Sequence, residues 1–567
     1  MYNIDMEKLT EQLGAIIKAE FGIEVLPRIE SSEHGDFETN VAMQIAKQAG
    51  ENPRAVGEKL VVALSAEGVT AEVAGAGFIN FTLADSELVA TLDESVRKHE
   101  DFYKCEAYKN KVVVTEFSDP NPFKVLHVGH LYTSIVGDAI SNLVEKAGGK
   151  VHRVNFGGDV GLHVAKTMWA IDKQMGGFDV ERLPSGEIAA RMDWIAARYV
   201  EGTNAYEESE AAKAEIVEIN KTIYEITARE DHESAMAKVY WQCREWSYEY
   251  FDAFYARVGV SFEKYYPESV TAELGLEIVK REIKPGGYEL SDGAVIFRGE
   301  PYGLHTRVFI NNNGLPTYEA KDVGLLEKKW QDYKFDLSVV ITGADITEYM
   351  KVVLKSVEQF APELARRTKH IVHGNVKLMG GVKMSSRKGN FLRAVDVLDM
   401  VASEQEAVSG SPDSAVALGA TKYAFLKTKV EAGDLIFDVK ESVSVQGDSG
   451  PYLQYSLARA KSILRKVGGA EGELVLSEGE NLDEHERRLL LALLEWKEQL
   501  ARSVDELAPH RVCTYLYKLA QKFSRFYENN RVAGGEKEKL RKKLVEGYIE
   551  VLESGLAVLG IPSVEKI

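Results

Sequence analysis

Cysteine is nearly absent from this chain. Only Cys105, Cys243 and Cys513 occur in 567 residues, far apart, with no Cys-x-x-Cys pair and no Cys/His cluster. That excludes a disulfide framework and a zinc knuckle, and it fits a reducing compartment, so a cytoplasmic protein is expected. Long apolar runs are missing too: none approaches the ~20 residues that span a bilayer, and no membrane association is expected. The first 22 residues are amphipathic and mixed in charge, which does not read as a signal peptide. Low-complexity tracts and internal repeats are also lacking. With 88 Asp and Glu against 69 Lys and Arg, the net charge is −19. This favours solubility and argues against non-specific coating of nucleic acid, though not against a local basic surface.

What is present is enough chain for three or four domains. Residues 1–105 read as a small α/β domain, with helical periodicity over Met6–Glu20, further helices from Val41 and Pro53, and a turn and strand over Gly75–Phe81. Residues 106–400 alternate strands with helices, the pattern of a parallel sheet. A continuously helical stretch, about 179–257 and rich in Glu, Ala and Lys, reads as an insertion between two halves of that sheet. Residues 401–440 form a junction. From about 441 onward Leu489–Leu500, Pro509–Glu528 and Glu536–Leu559 carry 3.6-residue apolar spacing, which predicts a bundle of antiparallel helices.

The stretch Lys111–Asn155 carries the strongest signal. An apolar run, Lys111–Phe117, leads into Ser118-Asp119-Pro120-Asn121-Pro122-Phe123-Lys124-Val125-Leu126-His127-Val128-Gly129-His130. An amphipathic segment, Leu131–Lys146, stops at Gly148-Gly149, and a second apolar run follows from Val151. Strand, proline-punctuated loop, helix and strand make one parallel βαβ unit. A helix N-terminus attracts phosphate. Two imidazoles three residues apart add donors to it, and Gly129 permits close approach of a flat group. The stretch therefore reads as a nucleotide site. A second element, Val382-Lys383-Met384-Ser385-Ser386-Arg387-Lys388-Gly389-Asn390, follows Gly380-Gly381 and gathers cations that suit a polyanion.

In this order, about 250 residues apart, the two elements resemble the His-x-Gly-His and Lys-Met-Ser-Lys motifs of class I aminoacyl-tRNA synthetases. The resemblance narrows to the arginyl-tRNA synthetase family. It is carried by Glu116–Asn121, Asn155–Gly161, Gly450–Tyr455 with Ala458-Arg459, Pro509–Arg511 with Tyr515–Tyr517 and Leu519-Ala520, and Gly560-Ile561. Residues 35–81 resemble the family's N-terminal add-on domain, which contacts the tRNA elbow.

The resemblance implies a multidomain α/β protein: a Rossmann-like parallel-sheet catalytic domain with a helical insertion, a small N-terminal α/β domain and a C-terminal α-helical bundle that binds the anticodon region. It implies ATP-dependent activation of L-arginine and transfer to tRNA(Arg), with Mg2+ accompanying ATP and no protein-caged metal. His127, Gly129, His130, Lys383, Met384 and Ser385 would bind ATP, with His127, His130, Lys124 and Lys383 catalytic. Glu116, Ser118, Asn121, Tyr318 and Asp322 would bind arginine. Tyr452, Tyr455, Arg459, Arg511, Tyr515 and Arg525 would meet tRNA. A monomer is expected.

The chemistry of arginine agrees. A guanidinium keeps its charge and calls for carboxylates and aromatic faces around it. Tyr318 and Asp322, four apart in a helical pattern, share one face. Two departures from the family pattern stand out. Ser386 replaces the second lysine of Lys-Met-Ser-Lys, and Lys124, three residues before His127, looks like its substitute. Gly343-Ala344-Asp345-Ile346-Thr347-Glu348-Tyr349 lacks the His-His-Gly that many relatives carry after the aspartate. Three alternatives stay open on the residues: a synthetase for another amino acid, a small nucleotidyltransferase, and a tRNA-binding relative without catalysis.

Overall fold

The computed structural model describes residues 6–32, 36–66, 69–379, 392–470, 472–476 and 479–565. Its centre is a five-stranded parallel sheet of β1 (Val112–Glu116), β2 (Lys150–Gly157), β3 (Lys264–Pro267), β4 (Leu337–Gly343) and β5 (Thr368–His373), in the order β5-β4-β1-β2-β3. Val113 pairs with Val151 on one side and Leu337 on the other. A parallel strand covered on both faces needs apolar residues on both, which explains the unbroken valine run of β1. The strand order reverses between β1 and β4, and open α/β sheets bind ligands at such a crevice.

Helix α1 (Val128–Lys146) connects β1 to β2, and Gly148 turns the chain at φ 83°. Between β2 and β3 stand α2 (Ile188–Glu208), α3 (Glu210–Ala228) and α4 (Ala235–Val258). Phe251, Phe254, Tyr255 and Val258 of α4 join the same apolar core as Leu131, Ile135 and Val136 of α1. Beyond β3 lie α5 (Glu268–Arg281), a three-stranded antiparallel ribbon over 289–310, and α6 (Tyr318–Tyr333). A short parallel pair, β6 (Val376–Leu378) with β7 (Leu435–Phe437), follows β5.

The N-terminal unit packs helices Met6–Phe21, Val41–Ala49 and Pro53–Ala66 on a four-stranded sheet with its own core. The C-terminal helices include α7 (Gly450–Val467), α8 (Glu484–Leu494), α9 (Pro509–Asn529) and α10 (Glu538–Val558). Their core is continuous with that of α1. The single periodic run expected over Leu489–Leu500 is two helices, Glu484–Leu494 and Trp496–Glu506, parted at Glu495. Trp496 is fully buried there and stacks on Tyr515, with centroids 5.3 Å apart. Arg487 of α8 reaches back to the N-terminal unit and pairs with Asp36 at 2.5 Å.

Candidate active site

The loop between β1 and α1 holds an unusual backbone. Ser118, Asp119 and Phe123 adopt φ of 74°, 50° and 66°, a left-handed region that non-glycine residues enter at a cost of about 1–3 kcal/mol each. Side-chain contacts offset that cost. Asp119 Oδ1 accepts the Phe156 N–H at 2.8 Å, and Asn121 Oδ1 accepts the Gly158 N–H at 2.8 Å. Ser118 Oγ and the Tyr255 hydroxyl share a 2.8 Å hydrogen bond, and the Phe123 N–H donates to Ser247 Oγ at 3.0 Å. Tyr255 and Ser247 belong to α4, so the insertion shapes this loop. A Cβ at Gly158 would lie 2.6 Å from Asn121 Oδ1, which makes glycine necessary there.

His127 is the N-cap of α1. Its Nδ1 accepts the Gly129 N–H at 3.1 Å, while His130 Nδ1 accepts the His127 N–H at 3.1 Å. The two rings close a reciprocal capping box, a role more often filled by Ser/Thr with Glu. Their centroids are 3.8 Å apart. A Cβ at Gly129 would come within 2.8 Å of the His127 ring, so the flat group that needs Gly129 is His127 itself. Desolvation within the crevice pushes His127, whose edge is exposed, down to about 4, and desolvation with the His127 and Lys124 charges pushes His130 well below the usual histidine range. Both rings are therefore neutral at pH 7. With each Nδ1 accepting, each proton sits on Nε2. Beneath them His373, at the end of β5, donates from Nδ1 to the Gly374 carbonyl at 2.7 Å and accepts the Thr133 hydroxyl at Nε2, also at 2.7 Å.

Across the crevice lies a buried acidic floor. Glu116 pairs with fully buried Lys329, whose ammonium also donates to Ser338 Oγ at 3.2 Å. Glu268 pairs with Lys321 at 2.6 Å, and both side chains are 4% exposed. Asp322 accepts the Tyr349 hydroxyl. Burial raises Asp322 to about 8, with Glu116 and Glu268 adding repulsion. Burial and Glu116 raise Asp119 as well. Three buried carboxyl groups (Glu116, Glu268, Asp322), with half-buried Asp119 beside them, thus face two buried ammoniums (Lys321, Lys329). Tyr318, at the mouth, is 57% exposed, with Lys321 Nζ 5.0 Å from its ring centre.

The crevice thus gathers Glu116, Ser118, Asn121, Lys124, His127, Gly129, His130, Tyr318 and Asp322. Lys383, Met384 and Ser385 lie outside the described residues. The chain just after them is anchored at the crevice: the Val128 N–H donates to the Leu392 carbonyl at 2.9 Å, and Arg393 bridges to His127. Glu268, Lys329, Tyr349 and His373 escaped the sequence reading. Lys329 had a usable signal, standing seven residues after Asp322 on the same helical face.

In the C-terminal helices a cleft of about 650 Å³ between α7 and the end of α9 is lined by Tyr455, Arg459, Tyr527 and Arg531. The Arg459 guanidinium lies 5.0 Å from the Tyr455 ring centre. Tyr452 is half-buried against Tyr517, Arg525 is exposed, and Arg511 is held by Glu506 through two bonds of 2.6 and 2.7 Å. Tyr515 corrects the expectation of a base platform: it is buried, stacks on Trp496 and donates its hydroxyl to the Ala492 carbonyl at 2.7 Å.

A parallel sheet with a histidine-capped helix at its switch point and a helical C-terminal bundle defines a class I aminoacyl-tRNA synthetase. Residues 93–438 match the family of class I (R) tRNA synthetase catalytic domains, 7–83 the arginyl-tRNA synthetase N-terminal domain, and 453–567 the DALR anticodon-binding domain. The chain belongs to the arginyl-tRNA synthetase family. It is 30% identical over 510 residues to the arginine–tRNA ligase of Treponema denticola, covering 86% of this chain and 85% of that one. It is 28% identical to the arginine–tRNA ligase of Phocaeicola vulgatus, covering 99% of each. Its fold matches the Thermus thermophilus arginyl-tRNA synthetase (TM-score 0.78, 24% identity, 100% of both chains) and that of Plasmodium falciparum (TM-score 0.79, 21% identity, 99% of both).

Proposed function

We propose the following assignment of residues to the family's reaction, the ATP-dependent attachment of L-arginine to tRNA, which this chain catalyses. The arginine carboxylate attacks the α-phosphorus of ATP, giving arginyl-adenylate and pyrophosphate. The acyl group then passes to a terminal ribose hydroxyl of tRNA(Arg) and AMP leaves. ATP enters as its magnesium complex. No side-chain nucleophile is required; the protein supplies position and charge.

His127 and His130 act as neutral Nε2–H donors to the phosphates at the start of α1, with Gly129 between them. Lys124 adds fixed positive charge, and Lys383, with Met384 and Ser385 of its motif, adds more from the other side. Arginine lies over the acidic floor. Asp322 and Glu268 attract its cationic groups, Tyr318 covers it at the mouth, and the loop bearing Glu116, Ser118 and Asn121 forms the wall. The excess of buried carboxyl groups over buried ammoniums carries this reading: Glu116 and Glu268 are paired with lysines, and Asp322, which burial keeps protonated, ionises once a guanidinium supplies the missing cation.

Tyr455, Arg459 and Arg525, with Tyr452 and Arg511 at the margins, bind the anticodon region by stacking and phosphate contact. The chain divides into 1–105 (tRNA elbow contact), 106–400 with the insertion at about 179–257, a junction at 401–440 and 441–567; the separate core over Leu9–Phe81 supports an N-terminal unit. The working form is a cytoplasmic monomer. Arginine-dependent exchange of pyrophosphate into ATP, measured with tRNA(Arg) present, tests the assignment; no exchange under those conditions would refute it.

A further inference from the structure

Helix α2 of the insertion reaches the phosphate side of the crevice, beside the contact that α4 makes through Ser247. Tyr199 of α2 lays its ring against Lys124, whose Nζ is 4.8 Å from the ring centre. On the same helix Asp193 ion-pairs with Arg393 at 2.6 Å, and Arg393 is the residue bridged to His127. Two separate contacts thus tie α2 to the segments that flank the histidine pair. Lys124 has no ion pair with a carboxylate among the described residues, although Glu268 and Asp345 lie near enough to share its electrostatic surroundings. A half-buried lysine is most simply held by a carboxylate, but that would neutralise it and compete with phosphate. An aromatic face attracts an ammonium through its quadrupole and leaves the charge whole.

We propose that Tyr199 is a positioning residue for adenylate formation: its π face aims Lys124 at the ATP phosphates without neutralising it. This rests on the reading of Lys124 as a phosphate-binding lysine. It makes the helical insertion part of the machinery of the first step rather than only a wall of the domain. The ring, not the hydroxyl, is the working part, so phenylalanine serves and an aliphatic residue of similar bulk does not. A carboxylate at this place is worse than either, because it offers Lys124 a partner in place of the phosphates.

The test is pyrophosphate exchange by the full chain at saturating arginine and tRNA(Arg), with kcat and the KM for ATP and for arginine read separately. The variants are K124A, Y199F, Y199L, Y199E and K124A/Y199L. Tyr199→Phe is expected to stay within about twofold of the parent, and Tyr199→Leu to lose about tenfold in kcat/KM for ATP with KM for arginine unchanged. Tyr199→Glu falls below Tyr199→Leu, and Tyr199→Leu costs nothing further in the K124A background. Equal effects of Phe and Leu, additivity with K124A, or a Leu variant as active as the parent overturn the proposal. A silent K124A overturns instead the phosphate reading on which it stands. Thermal unfolding checks each variant; should the Leu variant not fold, the ordering of Phe above Glu, and its loss in K124A, decides alone.

Discussion

His127 and His130 spend their Nδ1 atoms on the first turn of their own helix, each capping a backbone N–H at 3.1 Å. One ring therefore has two separable roles in the proposed assignment: Nδ1 holds the helix, and Nε2–H is the donor assigned to the phosphates. Asparagine and glutamine divide these roles. Asn places an oxygen where Nδ1 stands and is a strong N-cap. His127→Asn should keep the unfolding midpoint within about 1 °C, yet lower exchange kcat about 10²-fold through loss of a transition-state donor. His127→Gln should do the reverse, costing about 1 kcal/mol of stability while retaining more activity. Thermal unfolding and exchange kinetics on both variants check this; parallel losses in both would contradict the division.

The same neutral rings set an acid limit on stability. Their folded values lie below the ordinary histidine value, His127 at about 4. The unfolded chain therefore takes up protons that the folded site refuses. Their contribution is complete above pH 6.5 and is lost as pH falls from there toward the folded value. The unfolding midpoint should drop between pH 6.5 and 4.5, and the drop should shrink in His127→Asn. A midpoint flat across that window in the parent would contradict it.

Asp322, raised to about 8 by burial, couples arginine binding to proton release. A bound guanidinium stabilises the carboxylate and pulls its value down, so between pH 6 and 8 binding expels a proton. Affinity should rise by up to about tenfold per pH unit and level off above 8. Calorimetry in buffers of different ionisation enthalpy reads the released proton directly. Asp322→Asn should abolish the release and raise the KM for arginine far more than that for ATP. Tyr349→Phe, which removes the hydroxyl that Asp322 accepts, should move the levelling-off to higher pH, because that hydrogen bond holds the Asp322 value down.

Lys329 is fully buried against Glu116. Lys329→Met would strand that carboxylate and is expected to cost about 3–5 kcal/mol, while Lys329→Met with Glu116→Leu should recover much of it. Unfolding midpoints of the three proteins check this. A single mutant as stable as the parent would mean the pair is dispensable to the floor.

In the C-terminal helices, Tyr455 and Tyr515 should behave as opposites. Tyr455→Ala should weaken tRNA binding by about 1–3 kcal/mol with stability unchanged. Tyr515→Ala should lose about 3–5 kcal/mol of stability through the cavity beside Trp496. Filter binding and thermal unfolding separate the two effects.

These residues also show what could be read in the sequence and what could not. The β1–α1 unit was legible because Pro120, Pro122 and Gly148-Gly149 punctuate it and its apolar period changes from strand to helix. Tyr318 and Asp322 were legible as a pair because helical spacing puts them on one face. The floor beneath them was not, because Glu116 and Lys329 lie 213 residues apart and nothing local to either announces the other. The resemblance likewise did not settle Tyr515: it places the residue in the tRNA-binding helices, not whether its ring meets water or Trp496. The break at Glu495 was invisible for the same reason, since burying Trp496 is a tertiary demand. Three left-handed residues in the loop after β1 gave no signal either, because their strain is offset by partners on β2 and α4.

The most direct test of the central claim compares arginine with citrulline in pyrophosphate exchange with tRNA(Arg) present. Citrulline keeps the shape of arginine and removes the side-chain charge. If an excess of buried carboxylate selects the amino acid, exchange should appear with arginine, and citrulline should fall at least about 10³-fold below it. That gap should narrow in Asp322→Asn. Comparable exchange with citrulline, or a gap untouched by Asp322→Asn, would contradict the account.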